Sequence, residues 1–410
     1  MVSSAAASTT AVTVEEARRV LLAGLPAPAA EEVDLGEALG RVLADDVVAA
    51  TDLPGADNSA MDGYAVLASD VAGAGQAAPL WLPVGLEARA GHPVLEHRPG
   101  TATVIATGAS MPIGADAVVA VEQTTRDGER VGFLAAPAAG AFVRRRGEDV
   151  RAGQALLRAG TRLRSVDVGV CAAAGVARPR VARRPRVALL STGDELVAPG
   201  TVPQPHQVTD VNTAMLAAAV AEAGGVVVSA GTVDDDPAVV MEALQRARDS
   251  ADIIVSSAGV SMGGHDHVRD CVAELGSVDQ WTVAMRPGRP LVVGSVGAVR
   301  FVGLPGNPVS SAVTFLLFAR PAILALQGAT SLLPRLLPVV LGDAFEKPPH
   351  LQTYLRVHLE PSAEGLLATL SGGQGSAMMH GLAGADALAV LPAGTGIFPA
   401  GTSVQAMLLP

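Results

Sequence analysis

Strand-like and helix-like runs alternate from residue 186 to residue 328, and no other feature limits the possible folds of this chain so tightly. Apolar runs at 186–191, 226–230 and 252–256 each precede a helical pattern, at 212–223, 237–250 and 266–275. Two further runs, 290–293 and 300–303, lead into a helix opening at Asn307-Pro308. This spacing predicts a parallel α/β sheet, because parallel neighbours need a crossover between them and a helix supplies it. Open sheets of this kind bind ligands beyond the C-terminal ends of their strands.

That edge carries the chain's least ordinary loops. Ser191-Thr192-Gly193-Asp194-Glu195 follows the first strand and Asp234-Asp235-Asp236-Pro237 the second. Ser257-Ala258-Gly259-Val260-Ser261-Met262-Gly263-Gly264-His265-Asp266 follows the third, and Gly303-Leu304-Pro305-Gly306-Asn307-Pro308 the last. Small Gly and Ser residues let backbone N–H groups approach a phosphate, and Pro308 at the first helical position opens a positive dipole end toward it. Carboxylates in the same crevice repel phosphate unless Mg²⁺ lies between them. Taken singly, each loop is also ordinary turn punctuation, and Asp236-Pro237 is a good helix start. Their coincidence at one sheet edge favours a phosphate-bearing ligand.

The chain has 410 residues, 49% hydrophobic and 17% charged, which suits several packed domains rather than disorder. A formal net charge of −11 argues against nonspecific nucleic-acid binding, which needs a basic face. An anionic ligand must then be held by clustered arginines, helix N-termini or a metal on carboxylates. Cys171 and Cys271 have no CxxC spacing, so neither a zinc site nor a disulfide framework is expected, and a reducing cytoplasm is the default. Residues 1–12 lack a basic or apolar leader pattern and read as a loose tail. The apolar stretch 309–326 is broken by Arg320-Pro321 and reads as a core helix, not a membrane span.

Thr13 and Glu16 form a capping-box pattern at the head of a helix over 13–25; further helices fit 34–43 and 165–174. Residues 51–149 switch to short apolar runs between Gly and Pro, at 101–106, 117–121 and 131–134, which is a β-rich pattern. The basic, Pro-punctuated stretch from Arg178 to Pro185 reads as a domain boundary. Beyond 329, the runs 338–341, 353–359, 366–370 and 387–391 are strand-like with no clear helix, predicting a small β-barrel or sandwich.

Two polar segments remain. The stretch from Asp52 to Ala65 is poor in apolar residues and contains Asp57 and Asp62; alone, it reads equally as an Asx-rich turn with Asp62-Gly63 at a hairpin corner. Arg144-Arg145-Arg146-Gly147-Glu148-Asp149 is the best local anion site on an acidic chain, because Arg binds oxyanions bidentately. Alone, it reads equally as a solvated charge run.

Asp57-Asn58-Ser59-Ala60-Met61-Asp62-Gly63-Tyr64-Ala65, the Arg144–Asp149 segment, Ser191-Thr192-Gly193-Asp194-Glu195-Leu196 and Gly303-Leu304-Pro305-Gly306-Asn307-Pro308-Val309-Ser310 occur in that order. With them the chain, from about residue 13 onward, resembles the molybdopterin molybdenumtransferase family, to which the gephyrin E domain is related. The resemblance implies an α/β multidomain fold. An elongated, helical dimerisation domain would be discontinuous at 13–50 and 150–184, with a β-rich domain inserted at 51–149. A central parallel α/β molybdopterin-binding domain would span 185–328 and a small C-terminal β-barrel 329–410. The implied protein is a cytoplasmic homodimer that takes adenylylated molybdopterin and molybdate, with Mg²⁺, and forms the molybdenum cofactor with release of AMP. Its cleft would lie between the α/β domain of one subunit and the inserted domain of the other.

Position by position, the resemblance implies catalytic roles for Asp62, Thr107, Asp149, Glu195, Asp235 and Asp266, with Glu195, Asp235 and Asp266 as Mg²⁺ ligands. The register within Asp234-Asp235-Asp236 is open by one residue. Substrate would meet Ser59, Arg144, Arg145, Arg146, Thr192, Gly193, Asp194, Ser257, Gly259 and Ser261. It would also meet Arg286, Arg289, Pro305, Gly306, Asn307 and Pro308. The chain departs from the family at Arg286-Pro287-Gly288-Arg289, where Lys-Pro-Gly-Lys is usual, and at Ala258, where Gly is usual and backbone freedom is greater. His265 and His267 flank Asp266 without a third ligand nearby, so a histidine metal site is not expected. Rival readings are a noncatalytic docking scaffold and the single-domain molybdopterin adenylyltransferase; the extra domains and the full acidic set favour metal insertion. That adenylyltransferase and acceptor molybdoenzymes are the implied partners, with no nucleic acid and no membrane.

Overall fold

The computed structural model describes residues 11–259, 267–363 and 365–409. Thr13 caps the first helix, Val14–Leu22, in a full capping box: Glu16 N–H donates to Thr13 Oγ1 at 3.2 Å, and Thr13 N–H to Glu16 Oε2 at 2.9 Å. Its buried Val14, Ala17 and Leu21 recur at helical spacing and enter the core of the α/β unit. The helix expected at 34–43 is absent, and only the single turn Leu35–Glu37 forms. Gly36 and Gly40 weaken helix propensity there, and the N–H groups of Gly40 and Leu43 are committed to the carbonyls of Leu163 and Thr161. The 13–50 and 150–184 segments are thus less helical than expected. Short antiparallel pairs join them, Ala30–Glu32 with Arg180–Ala182 and Val47–Val48 with Ala155–Leu157, beside the helix Ser165–Ala173.

Residues 51–149 contain a six-stranded sheet in the order Ala117–Ala120, Gly63–Val66, Ala102–Ile105, Gly75–Ala88, Arg130–Ala135, Thr124–Asp127. The 14-residue strand Gly75–Ala88 is invisible in the sequence because Pro79, Pro83 and Gly85 look like breakers. Pro79 and Gly85 fall at register irregularities, between Gly75 and Leu80 and between Val84 and Glu87, where the ladder tolerates them.

The α/β unit has a six-stranded sheet in the order Val226–Val233, Arg186–Thr192, Ile253–Ser257, Val299–Leu304, Pro290–Val296, Gly276–Thr282. The first four strands are parallel neighbours, whereas the last two run antiparallel, which corrects the expectation of a wholly parallel sheet. Only Gly297 and Ala298 separate Pro290–Val296 from Val299–Leu304, too few residues for a crossover, so the two strands close as a hairpin. Strand alternation puts a core on each face. Val187 and Leu189 share one with Leu216 and Val220, while Ala188 and Leu190 share the other with Val240 and Leu244.

The stretch Pro308–Ala325 is long and apolar enough to cross a membrane by composition, but 78% of it is buried inside the protein. It is a core helix, as expected, though Arg320-Pro321 does not break it. The turn before Pro321 widens into a π-helical segment, Phe315–Ala319, which absorbs the proline ring and its missing N–H before the helix resumes at Arg320–Ala325.

Near the C-terminus, Leu336–Leu341, Gln352–Ser362, Gly365–Leu370, Ala387–Leu391 and Ser403–Leu408 close into a barrel. Closure follows because Gln352–Ser362 pairs with both Gly365–Leu370 and Ala387–Leu391. Met285–Arg286 pairs in parallel with Gln352 and Thr353 and ties the barrel to the α/β unit. The short helix His380–Ala383 was not expected.

Candidate active site

The strands ending at Thr192, Ser257 and Leu304 deliver their loops to one cleft of about 840 Å³. Thr192, Glu195, Ser257, Gly259, Pro305, Gly306, Asn307 and Pro308 line it, so the sheet edge gathers most of the α/β residues singled out above. Gly193, between Thr192 and Asp194, sits at φ +148, and a Cβ there would meet the Glu195 carboxylate at 2.6 Å. Only glycine lets Glu195 fold back over its own loop. Asp235 N–H donates to Asp194 Oδ1 at 3.3 Å, which joins the second loop to the first. Loss of solvation, followed by the Asp194 and Glu195 carboxylates, pushes the Asp235 carboxyl above its ordinary range, while His267 pulls it down.

Among the described residues, Asp194, Glu195 and Asp235 have no ion-pair partner. These like charges have no Lys or Arg paired with them among the described residues, and His267 alone offsets Asp235. Among the described residues no three His, Cys, Asp or Glu side chains converge into a preformed metal cage. Mg²⁺ fits such a donor set, since it takes one or two carboxylates and completes its shell with water and phosphate oxygens. Asp266 and Ser261, expected at this site, lie outside the described residues, as does His265.

Ala258 adopts φ +75, a left-handed conformation that costs a residue with a Cβ about 1–2 kcal/mol. It faces Gly306 across the cleft floor, where a Cβ on Gly306 would lie 3.3 Å from the Ala258 methyl.

Other cleft residues were not anticipated. Asn212 Nδ2 donates to Ser257 Oγ and to Gly306 O, each at 2.7 Å, and so ties the third and last loops to the helix Asn212–Glu222. Asp210 accepts from Thr213 N–H at 3.0 Å and Thr213 Oγ1 at 2.6 Å, which satisfies the start of that helix. Ala377 and Met379 enter the cleft from the barrel domain, and Ser376 O accepts from Val309 N–H at 3.0 Å. Arg356, 1% exposed, holds this loop by donating to the carbonyls of Gly373 and Gly375. The Gly-rich run 371–375 and the Asp-x-Asn pattern before an apolar helix were the available signals.

The inserted region builds a second polar group. Thr107 N–H and Thr107 Oγ1 both donate to Asp62 Oδ1, at 2.6 and 2.9 Å. The backbone bond first, then the hydroxyl, holds the Asp62 carboxyl below its ordinary range and leaves Oδ2 without a bond among the described residues. Gly63 follows at once, and a Cβ there would strike Val119 O at 2.0 Å, so the strand enters the sheet too closely for any other residue. The segment is therefore a built loop rather than a hairpin corner: Asn58–Ser59 pairs with Val143–Arg144.

That pairing revises two expectations. Ser59, expected at substrate, is fully buried, and its Oγ donates to Met61 O at 2.5 Å, so it shapes the loop that presents Asp62. Arg145 and Arg146 are not free anion ligands, because the strand pairing sets them 2.6 Å from Asp57 and Asp52. Backbone N–H donors first, Ala152 to Asp52 and Arg146 to Asp57, and then these guanidinium pairs hold both aspartates below the ordinary carboxylate range. Arg144, Arg286 and Arg289 are exposed and have no ion-pair partner among the described residues. Asp149 is exposed, with its N–H on Leu53 O at 3.1 Å. None of the described residues lining the cleft comes from 51–149, so within one chain Asp62, Thr107 and Asp149 stand apart from Glu195.

Comparison with known proteins agrees across the whole chain. Residues 12–175 match the MoeA N-terminal region (domains I and II), 188–325 a probable molybdopterin binding domain, and 338–409 the MoeA C-terminal region (domain IV). A molybdopterin molybdenumtransferase of Nostoc sp. is 40% identical over 390 residues, covering 93% of this chain and 89% of that protein. Molybdopterin molybdenumtransferase 2 of Mycobacterium tuberculosis is 38% identical over 399 residues, covering 96% and 98%. The crystal structure of the molybdopterin biosynthesis moeA protein of Pyrococcus horikoshii OT3 superposes with a TM-score of 0.83 at 28% identity, covering 98% of this chain and 100% of that one. The strand-end cleft, the Asp62–Thr107 group and the barrel loop therefore sit in a chain that belongs to the molybdopterin molybdenumtransferase family, enzymes of molybdenum cofactor biosynthesis.

Proposed function

We propose that this chain inserts molybdate into adenylylated molybdopterin in a Mg²⁺-dependent reaction that releases AMP. The observation that carries the proposal is the strand-end cleft lined by Glu195, with Asp194 and Asp235 close beside it and no ion-paired cation among the described residues, next to backbone suited to phosphate. Gly306 and Asn307, in the turn before Pro308, receive the phosphates, because the missing side chain of Gly306 permits close approach of backbone N–H groups. Glu195 and Asp235 are the carboxylates that would hold Mg²⁺, with Asp266 the third that the family resemblance implies. Bound there, Mg²⁺ neutralises phosphate charge and polarises the phosphoanhydride as a Lewis acid.

Asp62 serves the molybdate and dithiolene end. Thr107 fixes its Oδ1 and keeps the group ionised, so Oδ2 orients an oxyanion through its protons or accepts a proton from it. Arg144, Arg286 and Arg289 supply uncompensated positive charge for molybdate. Because residues 51–149 contribute nothing to the cleft described in one chain, the working enzyme is a homodimer whose inserted domain completes its partner's cleft.

Purified protein supplied with adenylylated molybdopterin, molybdate and Mg²⁺ should release AMP only when molybdate is present. AMP release that ignores molybdate, or none at all with tight ligand binding, rejects the proposal. Mixing inactive Asp62→Asn and Glu195→Gln proteins after dimer exchange should restore activity, since one mixed dimer carries one intact site. No recovery, despite demonstrated exchange, rejects the shared cleft.

A further inference from the structure

We infer that Gln374 is a positioning residue for the substrate: with Arg356 it fixes the barrel loop that forms one wall of the strand-end cleft. The inference rests on the reading of that cleft as the substrate site and deepens it.

The ladder between Gln352–Ser362 and Gly365–Leu370 ends at Ser371, whose N–H donates to Arg356 O at 2.9 Å. Beyond it the chain leaves the sheet through Gly372-Gly373-Gln374-Gly375, where Gln374 carries the only side chain. That side chain takes the place of a neighbouring strand. Its Oε1 accepts from Arg356 N–H at 2.9 Å, and its Nε2 donates to Arg356 O and to Gly372 O, each at 3.1 Å. The partners fix the orientation of the amide, because an N–H can only donate and both carbonyls can only accept. Arg356 returns the contact: its Nη2 donates to the carbonyls of Gly373 and Gly375, on either side of Gln374. Each side chain holds the backbone around the other.

Arg356 is 1% exposed, and no carboxylate pairs with it among the described residues. A buried guanidinium set on carbonyls alone is a costly group, since burial penalises its charge and no opposite charge offsets it. What the arrangement produces is a fixed path for residues 372–375, and the residues that follow are the ones that reach the α/β unit. Ser376 O accepts from Val309 N–H at 3.0 Å, in the first turn of the helix Pro308–Thr314, and Ala377 and Met379 line the cleft. Ser371 Oγ donates to Gly381 O at 2.8 Å and closes the base of the loop. A wall ordered before the ligand arrives leaves less conformational entropy to be lost on binding. Gln374 itself is not among the lining residues, so it acts on substrate affinity from outside the cleft.

The test measures KM for adenylylated molybdopterin and kcat on the unaltered protein, Gln374→Ala and Gln374→Met, with the denaturant midpoint of each. Gln374→Met keeps the length of the side chain and loses all three hydrogen bonds, and both variants leave Arg356 in place. KM should rise about tenfold in both variants, the scale of one or two net hydrogen bonds, with kcat changed less than KM. A purely structural clamp predicts otherwise. A smaller folded fraction lowers apparent kcat and leaves KM where it was, because KM does not depend on the amount of active enzyme. Unchanged KM in either variant, with or without a lower midpoint, overturns the inference. Glu195→Gln tests the underlying reading separately: parental KM and kcat there remove the strand-end cleft as the substrate site, whatever the Gln374 variants do.

Discussion

The α/β unit and the inserted β domain both present acids, yet they handle the charge in opposite ways. At the strand-end cleft, Asp194, Glu195 and Asp235 crowd together with no ion-paired cation among the described residues, and the Asp235 carboxyl is pushed up. In the inserted domain, each acid of the Asp52–Asp62 segment accepts first from a backbone N–H and then from a side chain: Ala152 and Arg146 for Asp52, Arg146 and Arg145 for Asp57, and Thr107 twice for Asp62, and all three carboxyls are pulled down. The first arrangement has no ion-paired Lys or Arg among the described residues and is suited to a metal and phosphates. The second neutralises Asp52 and Asp57 with arginines and fixes Asp62 by hydrogen bonds alone, suited to presenting one fixed carboxylate. A charge left unpaired and a charge held in place are different functional devices, and sequence composition alone does not separate them.

The sharpest way to break this comparison is Asp62→Asn. Asp62 is exposed and its partner Thr107 remains, so the fold should survive while cofactor formation falls by about 100-fold or more, the scale expected for loss of a positioned acid–base group. Near-native turnover with an unchanged unfolding curve removes Asp62 from the chemistry.

Ala258→Gly sharpens the comparison from the cleft side. Relieving the left-handed conformation at φ +75 should stabilise the protein by about 1 kcal/mol, read as a higher denaturant midpoint. An unchanged or lower midpoint shows that the cleft floor stores no strain there.

The smallest effect concerns Asp235, and its sign follows from the raised pKa. Ionised Asp235 costs the folded state stability at neutral pH; the cost disappears as pH falls from the folded-state pKa toward the unfolded value. Asp235→Asn should therefore be slightly more stable than the parent near neutrality, with the gap closing in acid. Asp62 carries the opposite sign: its lowered pKa contributes stability that is present above the ordinary carboxylate range and lost on acidification. Urea denaturation of both variants across pH reads the two slopes, and slopes of the same sign contradict the comparison.

Legibility followed the range of the interactions. The helix Pro237–Ser250 matches its sequence reading end to end, because Asp236 accepts from Ala238 and Val239 N–H, and Pro237 fills the first position. The capping box at Thr13 is equally local. The strand Gly75–Ala88 was hidden because its prolines are tolerated only by irregularities in a ladder with partners far along the chain. Pro321 misled for the same reason: a π-helical turn inside a packed core accommodates it. At the site, Glu195, Thr192 and the Gly306-Asn307-Pro308 turn were legible as strand-end loops, whereas Asn212 and Arg356 were not. Their roles lie in hydrogen bonds to residues 45 and 94 positions away for Asn212, and in a barrel loop that reaches another domain's cleft for Arg356.

By itself the sequence determined which residue types stand at the strand ends, where the helices start and that the middle of the chain is an α/β unit, since propensity, capping and hydrophobic period act over a few residues. Only the tertiary structure decided which charges are neutralised. Arg145 and Arg146 find Asp57 and Asp52, 88 and 94 positions away, beside a short strand pairing, and Asp235 finds the Asp194 carboxylate. Electrostatic energy depends on distance in space and on solvent exposure, and neither quantity is written in the order of the residues.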